Sequence, residues 1–416
     1  MLLQPLFTYR MKRVSLLRAA ALAVGLLAAC SSSDSPPVQT PLACAGTAVP
    51  GLASHLLVGF AGSDATAGMP GFDLRYQYLA GSVPADVSCS PCSNCGTGSN
   101  WWGCWQEMNR EPGLFVQRFI ASAEQDGLIP MFTYYIILPA SGVAEGTSEV
   151  TSAARDAAFM ALYFNDFRFF LQQVGTHNAI IHIEPDFWGY AAQAARAAAT
   201  DAHGLPAAVA TANTPDCATQ ENSIAGLGRC MVAMVRKYAP NAKVGLHASP
   251  WGAGYDVVAN TDPTLDIAGQ GQSTAVFLAA CGASESDVVV ADISDRDAGY
   301  YQSVGRNTWL DPMDKQLPTF AQIFVWSRAV SNGVGKPMLW WQIPVGNMGL
   351  PDVPNAWQDN KVDYFFDHTD RVVASGAIGI AFGAGASGQT TPETDGGNLI
   401  GRAASLKAVG SQPLCP

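Results

Sequence analysis

Eight apolar segments, each bounded by turn residues, alternate with helical segments along most of this chain. The segments carry many β-branched and aromatic residues and are shorter than most helices, which is typical of buried strands. We predict strands at residues 55–60, 72–79, 129–138, 179–184, 243–249, 287–293, 337–343 and 377–382. Strands that alternate with helices in this number favour a single (β/α)8 barrel with long loops, which we expect residues 44–416 to form.

A doubly wound parallel sheet is the main alternative, because it has the same alternation of strands and helices. Such sheets commonly bind dinucleotides at a G-x-G-x-x-G turn that follows the first strand. No such turn follows residues 55–60, where the chain continues to Asp64 and a Gly-rich stretch. The sequence therefore favours the barrel, and we expect no cofactor.

The first 30 residues have the pattern of an export signal. A basic pair at 12–13 precedes an apolar stretch at 16–27, which is too short to span a membrane. The segment Leu-Ala-Ala-Cys at 27–30 resembles the bacterial lipobox, and this resemblance implies that Cys30 is lipidated and becomes the mature N-terminus. Residues 31–43, rich in Ser and Pro, predict a flexible tether. We expect an exported protein at the bacterial cell envelope, held to the membrane by its lipid anchor alone.

The net charge of −11, with only 23 Lys and Arg residues, argues against a nucleic-acid-binding surface. Such a surface needs clustered cations that neutralise phosphates and release counterions, and no basic run follows the N-terminal segment. Hydrophobic residues make up 48% of the chain and charged residues 14%, which indicates a well-buried core. We expect no nucleic-acid partner, and we expect a monomer.

Nine cysteines remain after the lipidated one, and an odd number in an oxidising compartment predicts a free thiol. Cys281, in an apolar helical segment, is the candidate. Cys44 and Cys415 could join the ends of the domain, and Cys217 and Cys230 could close a short segment. Four more lie in one polar loop, where two disulfides or a zinc cluster would fit: Cys89, Cys92, Cys95 and Cys104. Export favours the disulfides, so we assign no metal.

Carboxylates follow two of the predicted strands. Glu184 and Asp186 end strand four, and Asp292 ends strand six. Barrel active sites lie at the carboxyl ends of the strands, so these three residues are the catalytic candidates. Repulsion between close carboxylates should raise the pKa of one of them and make it a proton donor. Two ordinary roles remain possible, since Asp186 could cap the next helix and Asp292 could pair with Arg296.

Aromatic and polar residues collect at the same predicted strand ends. A flat aromatic ring can stack on the apolar face of a sugar, while carboxylates and amides bind its hydroxyl groups. His247 could equally be an ordinary polar residue at a strand end. The candidate substrate-binding residues are Asp64, Tyr134, Tyr135, Trp188, Tyr190, His247, Trp251, Trp340 and Gln342. Of the adjacent pair Trp340 and Trp341, strand alternation sends one inward and the other against the helices.

The chain resembles the (β/α)8 glycoside hydrolases whose strand four ends in a glutamate followed by proline. Glu184 and Pro185 match that pattern, and the resemblance implies that Glu184 is the general acid/base. Ile183 stands where those families usually have asparagine, and Gln342 stands at the end of strand seven where their second carboxylate lies. The second catalytic carboxylate would therefore be Asp186 or Asp292.

These observations predict a glycoside hydrolase that cleaves a polysaccharide or oligosaccharide at the envelope or outside the cell. Gln342 also leaves open a glycan-binding lipoprotein that keeps the barrel without turnover. A barrel hydrolase of another substrate class that uses a metal is a third possibility.

Overall fold

The computed structural model describes residues 45–81, 83 and 113–415. Its strands are β1 (Leu57–Phe60), β2 (Leu74–Ala80), β3 (Ile129–Tyr135), β4 (Ile180–Ile183), β5 (Lys243–His247), β6 (Val288–Ala291), β7 (Met338–Ile343) and β8 (Ala377–Phe382). All eight are parallel and follow one another in sequence order, and β8 pairs back with β1 to close the sheet. The predicted (β/α)8 barrel is confirmed, because every predicted strand overlaps an observed one.

Helices connect the strands. In the described residues they are α1 (Asp64–Ala67), α2 (Leu114–Gln125), α3 (Ile137–Ser141), α4 (Thr147–Arg155), α5 (Ala157–Val174), α6 (Phe187–Ala197), α7 (Thr214–Cys217), α8 (Ile224–Tyr238), α9 (Ile267–Ala280), α10 (Ala298–Ser303), α11 (Phe320–Val334), α12 (Lys361–Asp367), α13 (Thr369–Ala374) and α14 (Asn398–Val409). A 3-10 helix also lies at Ala283–Glu285. The link between β1 and β2 holds only the four-residue α1, as its short length predicts.

Residues 147–174 form two helices, α4 and α5, rather than one, because Asp156 begins a new helix inside the segment. Its carboxylate accepts hydrogen bonds from the backbone N–H groups of Ala158 and Phe159, at 2.9 and 3.1 Å. Such a cap satisfies donors that have no partner within the helix and contributes about 1 kcal/mol.

The outer face of the barrel forms the main core with the helices. Phe132 on β3 contacts the rings of Phe119 on α2 and Phe170 on α5, each at a centroid distance of 5.3 Å. Trp340 on β7 packs in the same way against Trp326 on α11. All of these rings are buried, and each contributes about 1.5–3 kcal/mol to the free energy of unfolding.

Side chains from several strands fill the inside of the barrel. The ring of Trp341 on β7 reaches His182 on β4 at 4.7 Å, His247 on β5 at 5.9 Å and Tyr76 on β2 at 5.8 Å between centroids. Contacts between strands that are not neighbours in the sheet require these side chains to point inward. The inward Trp341 and outward Trp340 confirm the predicted division of this pair.

Loops after β6, β7 and β8 are held together by the buried carboxylate of Asp297. This carboxylate accepts hydrogen bonds from the backbone N–H groups of Gly346 and Thr390, at 2.9 and 2.8 Å. Burial and the nearby Asp359 carboxylate together raise the pKa of Asp297 to about 6, against the opposing effect of these hydrogen bonds. Asp297 therefore supports the loops at the carboxyl end of the barrel.

The cysteine predictions agree with the structure wherever it describes them. Cys217 and Cys230 form a disulfide, and Cys281 is a buried free thiol. Cys415 is disulfide-bonded. Cys30, Cys44 and the loop cysteines Cys89, Cys92, Cys95 and Cys104 lie outside the described residues. Within the described part of the chain, no helix is both long and apolar enough to cross a bilayer.

Candidate active site

A cavity of about 1020 Å³ opens at the carboxyl ends of strands β2 to β8. Its carboxylates are Glu145, Asp186, Asp256, Asp292 and Asp295, and its aromatic residues are Tyr78, Tyr135, Tyr190, Trp251, Tyr301 and Trp341. Two guanidinium groups, those of Arg296 and Arg306, also line it. A cavity of this size holds several sugar rings, and its lining combines flat rings with groups that bind hydroxyls.

The end of β4 departs from regular strand geometry. Glu184 has a φ of 48° and Asp186 a φ of 65°, in the left-handed region that non-glycine residues rarely adopt. The turn at Glu184 breaks the alternation of side chains, so His182 points inward whereas Glu184 points outward toward α5. Strand alternation alone would have placed both residues on one face.

Glu184 is fully buried behind the barrel wall and does not line the cavity. Its carboxylate accepts hydrogen bonds from the hydroxyl of Tyr163 at 2.9 Å and from the backbone N–H groups of Ile136 and Ile137 at 3.2 to 3.3 Å. Burial raises the pKa of Glu184 to about 8, and these hydrogen bonds oppose the rise. Through these hydrogen bonds Glu184 stabilises the connection between β3 and α3.

Asp186 lines the cavity and makes no capping hydrogen bond to α6, which begins directly after it. Burial raises the pKa of Asp186 from its ordinary 3.8 to about 7, nearby His247 opposes the rise, and the Asp292 carboxylate adds to it. A carboxyl group of this kind still carries its proton near neutral pH and can donate it.

Asp292 lines the same cavity after β6 and is not paired with Arg296, whose guanidinium contacts Asp295 instead. Its Oδ1 atom lies 3.3 Å from Nε2 of His247, at ion-pair distance but without the alignment of a hydrogen bond. Asp186 and Asp292 therefore share one cavity and lie near the same imidazole, that of His247, which directly contacts Asp292.

The end of β7 brings Trp341 and Gln342 to the cavity. Gln342 has a φ of 55°, and its side-chain oxygen accepts a hydrogen bond from the hydroxyl of Tyr78. The Tyr78 ring lies 5.3 Å from that of Trp341 and 6.4 Å from that of Tyr135. Together they form a continuous aromatic surface with one amide group beside it.

A second aromatic pair lies on the side of the cavity formed by β4 and β5. The rings of Tyr190 and Trp251 are 4.7 Å apart. Gly189 makes this packing possible, because a Cβ at that position would come within 2.7 Å of Trp251. Tyr190 also donates a long hydrogen bond of 3.4 Å to Glu145.

The cavity brings together six of the predicted site residues, namely Tyr135, Asp186, Tyr190, Trp251, Asp292 and Gln342. His247 lies beneath it, in contact with Asp292. Five others lie elsewhere, namely Asp64, Tyr134, Glu184, Trp188 and Trp340.

Each of the displaced residues has a structural partner. Asp64 is an exposed side chain paired with Arg75 at 2.6 Å. The Tyr134 hydroxyl donates to Asp166 behind the barrel, and the Trp188 indole N–H donates to the carbonyl of Ile183 at 3.0 Å. The side chains of the predicted substrate-binding residues Asp64, Tyr134, Trp188 and Trp340 thus point away from the cavity. Three further tryptophans that could line a sugar site, Trp101, Trp102 and Trp105, lie outside the described residues.

Some lining residues were missed in the sequence. Glu145, Asp256 and Arg306 lie in loops and Tyr301 in the short helix α10, where no hydrophobic period marks the direction of a side chain. Tyr78 could have been predicted, because it lies two residues after Tyr76 on β2 and residues at this spacing point to the same face of a strand. Among the described side chains, no three His, Cys, Asp or Glu residues are grouped as a metal site would require.

The barrel resembles several solved enzymes at low identity. A modular endo-β-1,4-mannanase from Cellulomonas fimi has a TM-score of 0.49 and 12% identity, over 85% of this chain and 70% of that one. The endo-β-1,4-mannanase from Thermotoga petrophila has a TM-score of 0.44 and 10% identity, over 85% and 77% of the two chains. A family 26 β-mannanase from Bacteroides ovatus has a TM-score of 0.44 and 11% identity, over 85% and 88%.

No protein-family model and no curated protein matches this sequence. With TM-scores below 0.5 for the three enzymes described, these likenesses do not assign an activity. What the cavity can do must be inferred from its own side chains.

Proposed function

We propose that this protein is a glycoside hydrolase in which Asp186 is the general acid and Asp292 the base or nucleophile. The observation that carries the proposal is the difference between these two carboxyl groups within one cavity. Asp186 keeps its proton to about pH 7, whereas Asp292 faces the imidazole of His247. Glycoside hydrolysis needs one carboxyl group in each role.

In this mechanism Asp186 donates its proton to the glycosidic oxygen as the bond from that oxygen to the anomeric carbon breaks. Asp292 either removes a proton from the water that attacks the anomeric carbon or attacks that carbon itself. In the second case, Asp186 then takes the proton from the water that releases the sugar. The configuration of the first product, read by NMR, distinguishes the two routes.

The acid role moves from Glu184 to Asp186 because Glu184 does not line the cavity. Glu184 would instead act indirectly, by fixing the turn that presents Asp186. Tyr135, Tyr190, Trp251 and Gln342 would bind the sugar rings and their hydroxyls. These assignments agree with the aromatic and polar lining described above.

The test is hydrolysis of a panel of polysaccharides and oligosaccharides by the purified protein and by its Asp186→Asn and Asp292→Asn variants. We expect new reducing ends from at least one glycan, and each variant should lower kcat by about 100-fold or more. A variant that hydrolyses the same glycan as fast as the parent would remove that residue from the mechanism.

A second candidate function is glycan binding without cleavage. It is favoured by Gln342, an uncharged amide held by Tyr78 at the end of β7. A glycan that raises the thermal stability of the protein and is recovered intact after long incubation would support this function over hydrolysis.

We further propose that the protein is an exported monomer anchored at the bacterial envelope through lipidated Cys30, with no nucleic-acid partner. The support is the sequence pattern at 11–30 and the negative net charge of −11. Labelled palmitate should be incorporated by the parent and lost in a Cys30→Ala variant. Equal incorporation in both would refute the anchor.

A further inference from the structure

A line of polar side chains runs beneath the cavity from β3 to the end of β6. The Thr133 hydroxyl lies 3.1 Å from Nδ1 of His182, and Nε2 of His182 lies 3.1 Å from Nδ1 of His247. Nε2 of His247 then lies 3.3 Å from Oδ1 of Asp292. Thr133, His182 and His247 are fully buried, so this line connects the barrel interior to a residue of the cavity.

Two buried imidazoles are unusual in the packed interior of such a barrel, where branched apolar side chains dominate. Trp341 covers both rings edge-on, at centroid distances of 4.7 Å from His182 and 5.9 Å from His247. The two rings are therefore hydrogen-bonded to each other, at 3.1 Å, rather than to bulk water. Apolar residues could fill this volume, so the polar line suggests a purpose beyond packing.

The chemistry of the groups gives the line a direction. Nε2 of His247 lies 3.3 Å from Oδ1 of Asp292, and although the two atoms are not aligned as a hydrogen bond, a lone pair on Nε2 would repel an ionised carboxylate at this distance. Nε2 of His247 should therefore carry the proton. A neutral imidazole has one N–H, which makes Nδ1 of His247 an acceptor for the Nε2–H of His182. Nδ1 of His182 then accepts the hydroxyl proton of Thr133.

We propose that Thr133, His182 and His247 form a relay of neutral side chains, in which two hydrogen bonds orient the His247 ring so that its N–H dipole points toward Asp292 and favours the ionised carboxylate. The proposal rests on the glycoside hydrolase function, in which Asp292 must be a base or nucleophile. The three residues are positioning residues, since none of them lines the cavity.

Other acidic groups lie around Asp292. The ionisable groups that face it, apart from His247, are Asp186, Asp256 and Tyr78, whose pKa values are all raised by burial and in part by the charge of Asp292. Burial holds the pKa of His182 well below its ordinary value, consistent with a neutral ring.

The first measurement is ¹⁵N NMR of the full chain, labelled at its six histidines. His182→Gln and His247→Gln assign the two buried rings. We expect both rings at neutral pH to be uncharged and protonated on Nε2. An imidazolium at His247, or an Nδ1–H form of either ring, would reverse the direction and overturn the proposal.

The second measurement follows the ring nitrogens of His247 as Asp292 is titrated. Thr133→Val removes the first donor while keeping the shape of the side chain, and Thr133→Ser restores the hydroxyl. In Thr133→Val, the change in the His247 ring signals that reports protonation of Asp292 should occur at higher pH than in the parent. In Thr133→Ser, the midpoint of this change should return to the parent value. Identical midpoints in all three proteins would overturn the relay.

With a cleaved glycan in hand, Thr133→Val should lower kcat by about tenfold, leave KM within about twofold, and move the acid limb of the pH profile to higher pH. A purely structural role would lower activity without moving that limb. If no glycan is cleaved but the NMR results are as expected, the hydrolase function fails and the relay stands. Cleavage with unaltered NMR and pH profiles in Thr133→Val refutes the relay alone.

Discussion

Asp186→Asn should make the protein more stable at alkaline pH while it abolishes activity. In the folded protein the pKa of Asp186 is raised from 3.8 to about 7, so the folded chain holds a proton in this range that the unfolded chain has lost. The contribution of Asp186 to the free energy of unfolding of the parent therefore falls as the pH rises from about 4 to 7, because the folded state resists the ionisation of this group, and this loss persists at higher pH. Asparagine carries no charge and avoids this loss.

The size of the effect follows from the same values. A rise in pKa from 3.8 to about 7 corresponds to about 4 kcal/mol in the free energy of unfolding. Asp186 is partly exposed in the cavity, and solvent screening should reduce this to about 2 kcal/mol. For a barrel of this length, such a gain raises the thermal midpoint by about 2–3 °C.

The assay is thermal unfolding of parent and variant at several pH values between about 4 and 8. Asp201→Asn is the matched control, because this exposed carboxylate accepts the backbone N–H groups of His203 and Gly204 and its pKa is lowered. Its removal should destabilise the protein at neutral pH, the opposite sign. The description of Asp186 as a buried, protonated acid is wrong if Asp186→Asn is no more stable than the parent near pH 8. It is also wrong if the variant is stabilised near pH 4 by as much as it is near pH 8.

Three further results are expected. Glu184→Gln should lower the free energy of unfolding by about 1–3 kcal/mol, because the amide NH2 group would face the Tyr163 hydroxyl and two backbone N–H groups, all of which are donors to the carboxylate in the parent. The same variant should lower kcat less than tenfold, and a large kcat loss at full stability would contradict this. Cys217→Ala with Cys230→Ala opens a loop whose ends are 13 positions apart and should cost about 3 kcal/mol, and unchanged unfolding in denaturant would contradict this. Tyr190→Ala and Trp251→Ala should each raise KM about tenfold with a smaller change in kcat, as expected for lost sugar stacking.

The barrel could be predicted because its signal lies in local composition. Strands such as β6 and β8 are runs of apolar residues bounded by turns, and the predicted 377–382 matches β8 at both ends. Helix boundaries inside polar or mixed segments were harder. The short α10 carries no apolar period, and Asp156 divides a segment whose hydrophobic pattern continues across it.

The site was only partly predictable, for a reason that lies in the backbone. Strand alternation correctly separates Trp340 from Trp341 but does not say which of the two faces the cavity. It also places Glu184 with His182, and a φ of 48° at Glu184 reverses that expectation. Which ring nitrogen of a histidine meets which partner depends on packing across the barrel, so the line from Thr133 to Asp292 has no sequence signal at all.

The left-handed backbone at the ends of β4 and β7 also limits how this site can vary in evolution. Glu184, Asp186 and Gln342 each hold a conformation that costs about 1–3 kcal/mol for an ordinary side chain and more for a β-branched one. We expect related chains to carry glycine, asparagine, aspartate or unbranched residues at these positions, and not valine, isoleucine or threonine. The backbone conformation at the ends of β4 and β7 would thus be inherited even where the side chains at these positions have diverged.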